Sequence, residues 1–248
     1  MTTQKENSST NLIRPACAHR AGPEILVVIP VLNEVRTLEI CLASLQGVGV
    51  RIVVVDAQST DGSLERAREL GAQVLIAQRG RAEQMNQGAL TLACEQILVF
   101  VHADTRLPSD WRTQIVRAIR HGRQWGRFDV QLDSDRPSLA LVARMMNLRS
   151  RLTGICTGDQ AIFVTAETWR RCGGFAQIPL MEDIDLSRRL KRLVGAPAAL
   201  QGPVLTSARR WETRGVLRTI LLMWMLRAMY ALGVSPQRLH RLYYGTHV

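Results

Sequence analysis

Residues 25–34 read Ile-Leu-Val-Val-Ile-Pro-Val-Leu-Asn-Glu, a short aliphatic strand that runs into a turn at Glu34. Two more aliphatic runs follow along the chain, and they stop at Asp56 and Asp104. Runs of this kind are typical of parallel strands that are buried on both faces. Because ligands of open α/β sheets bind just beyond the carboxyl ends of the strands, we expect the three carboxylates at one edge of the sheet. This arrangement predicts a nucleotide and metal site.

Helical periodicity fills the intervals between these strands. In the first half of the chain, helices are predicted at about 35–46, 62–71, 81–95 and 108–120, with a further strand at 74–77. In the second half, the pattern predicts an antiparallel strand at 127–132, another strand at 161–164, and helices at 139–152, 166–172 and 182–193. Alternating βα units predict an α/β fold with a doubly wound, mostly parallel central sheet that is flanked by helices.

Residues 216–232 are strongly apolar, yet Arg218 and Arg227 interrupt them. A membrane-spanning helix needs about 20 largely uncharged residues, which this segment lacks. At about 100° per residue the two arginines lie on opposite sides of a helix, so neither face is purely apolar. Two interpretations stay open: a C-terminal helix docked on the domain, or a helix that contacts a membrane or an acceptor lipid. The predicted organisation is a disordered tail at 1–22, a main domain at 23–212 and a C-terminal helical extension at 213–248.

Composition narrows the classes of partner. The net charge of +11 is carried almost wholly by arginine and favours anionic ligands or a membrane surface. Nucleic acid is not expected, because no basic run is interleaved with aromatic residues as single-strand binding requires. The five cysteines are scattered without metal-ligand spacing, which favours a reducing compartment. Since the N-terminal segment is polar, we expect a cytoplasmic protein, with association to the inner face of the membrane left open by the C-terminal helix.

The segment His102-Ala103-Asp104 offers the strongest candidate metal ligand. A carboxylate at the end of a buried strand can hold Mg²⁺ or Mn²⁺, while diphosphate oxygens and water fill the remaining positions. The alternative is that Asp104 only caps the following turn. Asp56 lies on a strand end, which favours contact with a base or a ribose hydroxyl. Glu34 either caps the next helix or contacts the nucleoside.

Two further segments carry candidate site residues. Arg79-Gly80-Arg81 precedes a helix, and two guanidinium groups with a glycine at a helix N-terminus form an anion site, unless the turn is simply solvated. Glu182-Asp183 begins another helix, where such acids either complement the helix dipole or deprotonate an acceptor hydroxyl. The glycine-bearing turn Gly158-Asp159-Gln160 precedes that helix. Arg209-Arg210-Trp211 can clamp a diphosphate or form a surface cation–π cluster.

Taken together, these residues resemble the family 2 glycosyltransferases, which have the GT-A fold. The resemblance covers about residues 24–212 and rests on four motifs in the order and spacing of that family. The motifs are Pro-x-x-Asn-Glu at 30–34, Val-Val-Asp-x-x-Ser-x-Asp-Gly at 54–62, the strand end at Asp104, and Glu182-Asp183. The run at 79–89, with Gly158-Asp159-Gln160 and Arg210-Trp211, is similar to a short bacterial subgroup linked in name to arsenosugar biosynthesis.

The resemblance implies an inverting enzyme with a nucleotide-diphosphate sugar donor and a divalent metal, Mg²⁺ or Mn²⁺. A UDP-sugar is favoured over a GDP-sugar, and the acceptor is left open between a lipid-linked molecule and a small metabolite. The implied nucleotide-sugar site comprises Pro30, Asn33, Glu34, Asp56, Arg79, Arg81, His102, Asp104, Asp159, Arg210 and Trp211. Asp104 would hold the metal, and Asp183 would act as general base with Glu182 beside it. The chain departs from the family at His102, where an Asp-x-Asp motif usually begins.

Two other functions fit parts of the sequence. A sugar-phosphate nucleotidyltransferase also pairs a nucleotide-binding sheet with acidic metal ligands. It would be expected to carry a Gly-rich basic loop after the first strand, where this chain has Pro-Val-Leu-Asn-Glu. A non-catalytic domain that binds nucleic acid or a membrane surface would use the net charge instead.

Overall fold

The computed structural model describes residues 22–93 and 96–245. Apart from Gly22, the tail predicted at 1–22 lies outside the described residues. The same holds for Cys94, which the helical pattern places inside a helix.

Strands and helices alternate in the first half of the chain, as predicted. In the described residues the strands are β1 (Ile25–Val31), β2 (Val50–Asp56), β3 (Gln73–Ile76), β4 (Ile97–Phe100), β5 (Thr105–Arg106), β6 (Trp125–Asp133), β7 (Ile162–Thr165) and β8 (Ala198–Ser207). The helices are α1 (Val35–Leu45), α2 (Ser63–Glu69), α3 (Arg81–Ala89), α4 (Trp111–Arg120), α5 (Pro137–Thr153), α6 (Ala166–Cys172), α7 (Glu182–Val194), α8 (Arg209–Arg214), α9 (Val216–Ala231) and α10 (Pro236–Tyr244). A 3₁₀ turn covers Gly158–Gln160.

One sheet holds all of these strands, in the order β3-β2-β1-β4-β7-β6-β8-β5. The pairs β1–β2, β1–β4, β2–β3 and β6–β8 are parallel, and the other three neighbouring pairs are antiparallel. The predicted α/β architecture with a mostly parallel sheet is therefore confirmed. The strand predicted at 127–132 lies within β6, which pairs antiparallel with β7 only at Trp125 and Gly126, before the predicted range. The residues of the predicted range pair in parallel with β8 instead.

The core lies on both faces of the sheet because alternate residues of β1 point to opposite sides. Val27 and Ile29 pack in the layer that contains α1, α2 and α4. Leu26 and Val28 pack in the opposite layer with α3, α6 and α7. This double burial explains why Ile25 to Ile29 are aliphatic at every position rather than at alternate ones.

Two predicted boundaries were wrong near the candidate site. The helix predicted at 81–95 ends at Ala89, and β4 ends at Phe100 rather than at Asp104. After β4 the chain turns, with the Thr105 amide donating to the His102 carbonyl at 3.0 Å. The turn places β5 against β8, a strand that the sequence reading missed. Asp104 therefore lies in a turn beyond the strand and not on the strand itself.

The C-terminal helices pack on the main domain. Leu226 of α9 is fully buried and clusters with Met181, Ile184 and the α10 residue Tyr243. Another side of α9 is exposed, as at Trp224. A docked helix is thus what the structure shows, whereas membrane contact and the division at 212/213 stay predictions. Among the residues that the structure describes, no helix combines the length and apolarity that crossing a membrane demands.

Candidate active site

A cavity of about 930 Å³ opens beyond the carboxyl ends of β1 and β4. It brings together most of the residues that the sequence singled out. Its wall includes Glu34, Arg81, His102, Asp104, Asp159, Glu182, Asp183, Arg210 and Trp211. Four other predicted residues, Pro30, Asn33, Asp56 and Arg79, are not part of this wall. The cavity thus collects side chains from segments up to 210 positions apart in the chain (34 to 244).

Asn33 shapes the loop that delivers Glu34 to the cavity. Its backbone adopts φ 56°, a left-handed conformation that asparagine tolerates better than most residues. The Asn33 amide donates to Ser59 Oγ, and its Oδ1 accepts from the Thr60 amide, both at 2.9 Å. Glu34 Oε1 then pairs with Arg209 Nη2 at 2.7 Å. Asn33 therefore positions the loop, and Glu34 is held by a charge on α8.

Asp56 and Asp61 organise the neighbouring loop. The Asp56 carboxylate is buried and accepts from the Ser59 amide at 2.9 Å. Asp61 immediately precedes Gly62, the N-cap residue of α2. Its two carboxylate oxygens accept from the amides of Val35 at 3.1 Å and of Ser63 at 3.0 Å. The Asp61 carboxylate thus accepts hydrogen bonds from the first amides of both α1 and α2. A nucleoside contact by Asp56 stays a prediction.

The two arginines of the Arg79-Gly80-Arg81 segment have different surroundings. Arg81 is the first residue of α3, is partly buried and lines the cavity. Arg79 is exposed and lies outside the cavity wall. Gly80 between them has φ 141°, which suits glycine. The predicted anion site therefore draws on Arg81.

His102 and Asp104 lie in the turn after β4 and differ in charge. Burial lowers the pKa of His102 to about 3, and the positive charges of Arg81 and Arg210 act in the same direction, so the imidazole is neutral. Burial raises the pKa of Asp104, and the negative charge of Glu34 adds to that rise. A divalent cation would relieve this repulsion between carboxylates.

Asp104 fits a metal that takes most of its ligands from a bound nucleotide. In the described part of the chain, no group of three or more His, Cys, Asp or Glu side chains is arranged to hold a metal ion. An all-protein cage is therefore not present among these residues. A carboxylate oxygen is a ligand that Mg²⁺ and Mn²⁺ prefer, and Mg²⁺ typically completes its shell with phosphate oxygens and water.

Gly158 connects the Asp104 side of the cavity with the Asp183 side. A Cβ at Gly158 would lie 2.5 Å from His102 Nε2, so only glycine allows the ring this close. The Gly158 amide donates to Asp183 Oδ2 at 3.1 Å, and the Ile184 amide donates to Asp183 Oδ1 at 2.7 Å. The turn after β4 and the start of α7 are thereby held in a fixed relation.

Glu182 and Asp183 are carboxylates that the fold keeps away from water. Burial, together with the charge of Asp183, raises the pKa of Glu182 to about 7. Burial also raises the pKa of Asp183. The preceding residue, Met181, has φ 71°, a strained conformation for a long side chain. An elevated pKa beside an ionisable neighbour is typical of groups that exchange protons during catalysis.

Sequence reasoning missed several residues of the cavity. These are Arg149, Arg227, Tyr243 and Tyr244. The Tyr243 ring lies under two guanidinium groups, with the Cζ atoms of Arg210 and Arg214 at 5.7 and 5.0 Å from its centroid. Arg209, predicted together with Arg210 and Trp211, lines the cavity with them. The missed residues come from α5, α9 and α10, and only the packing of these helices brings them to the cavity.

A family model described as "Glycosyl transferase family 2" matches residues 26–164. The chain belongs to glycosyl transferase family 2. Among curated proteins of this kind, it is similar to an uncharacterized glycosyltransferase of Mycobacterium tuberculosis (strain H37Rv), with 33% identity over 103 residues. The match covers 41% of this chain and 46% of the relative, so the chain spans about half the length of the curated relatives it matches.

Solved structures of glycosyltransferases share the fold of this family member. One is glucosyl-3-phosphoglycerate synthase from Mycobacterium tuberculosis, in complex with Mn²⁺, UDP and glucosyl-3-phosphoglycerate. The two proteins are 19% identical and superimpose with a TM-score of 0.60, over 83% of this chain and 80% of the synthase chain. Another is a mannosyltransferase from Pyrobaculum calidifontis, in complex with GDP-Man and Mn²⁺. It is 20% identical to this chain and superimposes with a TM-score of 0.55, over 75% of this chain and 57% of the mannosyltransferase chain. These likenesses confirm the predicted GT-A fold.

Proposed function

We propose that this protein is an inverting, metal-dependent glycosyltransferase that moves a sugar from a nucleotide-diphosphate donor to an acceptor oxygen. The observation that carries the proposal is that Asp104 and Asp183 line one cavity and are linked through His102 and Gly158. One carboxylate suits the leaving diphosphate with its metal, and the other suits the attacking acceptor. Holding both reactants in this geometry can supply about 7–11 kcal/mol of the barrier reduction.

The donor side of the site is assigned to residues of the sheet edge and of α3 and α8. Asp104 would hold Mg²⁺ or Mn²⁺, which when bound neutralises the charge that develops on the departing diphosphate. Arg81 and Arg210 line the same cavity and are placed to bind phosphate oxygens. Glu34 and Asp56 are the proposed nucleoside contacts, with Glu34 held by Arg209. The Mn²⁺ complexes of the two structurally similar glycosyltransferases support this assignment.

The acceptor side is assigned to the start of α7. The acceptor oxygen forms a bond to the anomeric carbon while the bond from that carbon to the diphosphate oxygen breaks, and the electron pair leaves with the nucleoside diphosphate. Asp183, held by two backbone amides with Glu182 beside it, accepts the acceptor proton, and burial raises the pKa of the Asp183 carboxyl toward this role. Inversion follows because the attacking and leaving oxygens lie on opposite sides of the sugar.

The donor base is proposed to be uracil, as the family resemblance favours. One of the two structurally similar enzymes is in complex with UDP and the other with GDP-Man, so both nucleotides are tested. The narrower link to the short subgroup named for arsenosugar biosynthesis is a hypothesis that rests on the Arg79–Ala89 run. The family match favours glycosyl transfer over a nucleotidyltransferase or a non-catalytic binding domain.

The experiment is a thermal-shift panel of UDP, GDP, CDP and dTDP, each with and without Mn²⁺. A ligand at about 100 times its dissociation constant stabilises the native state by about 2.7 kcal/mol, which is readily measured. We expect a shift with UDP that requires Mn²⁺ and is lost in Asp104→Ala. If none of the four nucleotides shifts the melting temperature of the protein, the proposal is contradicted.

A further inference from the structure

The cavity has an apolar half that a nucleotide-sugar cannot use. Beyond the carboxylates, its wall is built from hydrophobic side chains of α5 and α9, among them Met145, Met146, Ile220 and Trp224. A sugar, a diphosphate and a nucleoside all require polar partners, and the carboxylates with Arg81 and Arg210 supply those in the same cavity. An exposed apolar surface that is continuous with a polar site typically marks a ligand with an apolar part.

Several of the apolar side chains in the cavity wall are exposed to solvent. Met145 is 52% exposed and Trp224 is 66% exposed, and both line the cavity. Helix α9 is apolar on most of its circumference, with Leu226 buried against the domain and Trp224 facing the cavity. A helix that is hydrophobic nearly all round is expected to be covered on more than one side. Flexible methionine side chains at such a surface can pack against an apolar part of a ligand that has no fixed shape.

Two guanidinium groups lie where the apolar half meets the carboxylates. Arg149 and Arg227 both line the cavity, and each lies close enough to Asp183 to interact with its charge. Arg149 Nη1 donates to the Ile155 carbonyl at 3.5 Å, but its Nε and Nη2 are buried and lack a partner among the described residues. Within the same residues, the guanidinium of Arg227 forms no hydrogen bond or salt bridge. The two charges repel one another, so an anion between them would stabilise the site.

We propose that the acceptor is a lipid phosphate, meaning a phosphate monoester of a long alkyl or isoprenoid chain. Its chain lies between α5 and α9, and its phosphate lies between Arg149, Arg227 and Asp183. This inference rests on the proposed function and specifies the acceptor class. A phosphate oxygen forms the bond to the anomeric carbon, the bond from that carbon to the donor diphosphate breaks, and the nucleoside diphosphate leaves with the electron pair. The proton of a monoanionic phosphate passes to Asp183.

The first test measures binding of hexyl, octyl and decyl phosphate to the full chain, below their micellar concentrations and without donor, by calorimetry. Each methylene that leaves water contributes about 0.8 kcal/mol, so the dissociation constant should fall about fourfold for each added carbon. Octanol, which has the same chain without the charge, should bind at least tenfold more weakly than octyl phosphate. In Arg227→Gln that difference should largely disappear. An affinity that does not depend on chain length would overturn the proposal.

Matched substitutions distinguish binding of the alkyl chain inside the cavity from non-specific adsorption of alkyl phosphate to the protein surface. Met145→Gln and Trp224→Gln change cavity residues, whereas Leu148→Gln on α5 and Met225→Gln on α9 change residues of 48% and 45% exposure that lie outside the cavity wall. We expect the first pair to weaken octyl phosphate binding at least tenfold and the second pair to change it less than twofold. Equal losses of octyl phosphate affinity in all four variants would indicate non-specific adsorption to the protein surface and would refute the proposed site for the alkyl chain.

The remaining occupant to exclude is a second copy of the chain. Sedimentation of the wild type and of Trp224→Gln over a range of concentrations tests it, because a dimer through α9 would dissociate in the variant. Such a dimer, together with unchanged octyl phosphate affinity, would also overturn the proposal. The Mn²⁺-dependent UDP shift is measured on the same variants. If that shift persists while alkyl phosphates fail to bind, the acceptor inference falls and the glycosyltransferase proposal stands.

Discussion

Replacing Glu182 by glutamine should make the fold more stable at alkaline pH. Glu182 is 7% exposed, and burial followed by the charge of Asp183 raises its pKa from 4.5 to about 7. An acid with a raised pKa binds its proton more tightly in the folded state, so stability is lost as pH rises from 4.5 through 7. A difference of this size corresponds to roughly 3 kcal/mol at 1.36 kcal/mol for each pKa unit. Glutamine keeps the shape of the neutral acid and has no charge to bury.

The assay is urea unfolding of the wild type and of Glu182→Gln at a series of pH values between 4.5 and 8. The difference in unfolding free energy should grow in favour of the variant by about 3 kcal/mol over this range, and most of it should appear below pH 8. Asp183→Asn removes the charge next to Glu182, so the pH dependence of that variant should shift to lower pH. A difference between Glu182→Gln and the wild type that stays constant with pH would refute the reasoning.

Three further perturbations test other parts of the structure. Gly158→Ala places a Cβ 2.5 Å from His102 Nε2, so we expect at least a tenfold loss of sugar transfer, measured as nucleoside diphosphate release; wild-type activity would contradict the assigned contact. Asp129→Ala leaves the fully buried guanidinium of Arg127 without its carboxylate and should cost about 3–5 kcal/mol in urea unfolding. The double variant Arg127→Met with Asp129→Leu should be close to neutral, and a cost below about 1 kcal/mol for Asp129→Ala would disprove the account. Asp104→Asn should abolish the effect of Mn²⁺ on nucleotide binding while the unfolding midpoint without ligand stays within a few degrees, and Mn²⁺ dependence that survives would exclude Asp104 as the metal ligand.

Local sequence patterns were sufficient for the buried strands and for the start of α7. The aliphatic runs of β1, β2 and β4 contact both core layers, so each residue reports the same environment and the pattern needs no tertiary information. The turns are different. The run at 97–104 suggests an unbroken strand to Asp104, yet the chain leaves the ladder at Phe100 because β5 pairs with β8. That pairing joins residues about 100 positions apart, as in the contact of Thr105 with Thr206.

The sequence by itself determined the class of fold and singled out carboxylates, such as Glu34 and Asp104, that line the cavity, because both depend on short runs whose spacing matches one βα unit. Only the tertiary structure decided which of the candidates meet. It joined Glu34 to Arg209 across 175 positions and left Arg79 outside the cavity. It also placed Arg149 and Arg227 beside Asp183. The physical reason is that helices α5 and α9 are positioned by the burial of their apolar sides, and non-local packing of this kind leaves no local signature in the order of residues.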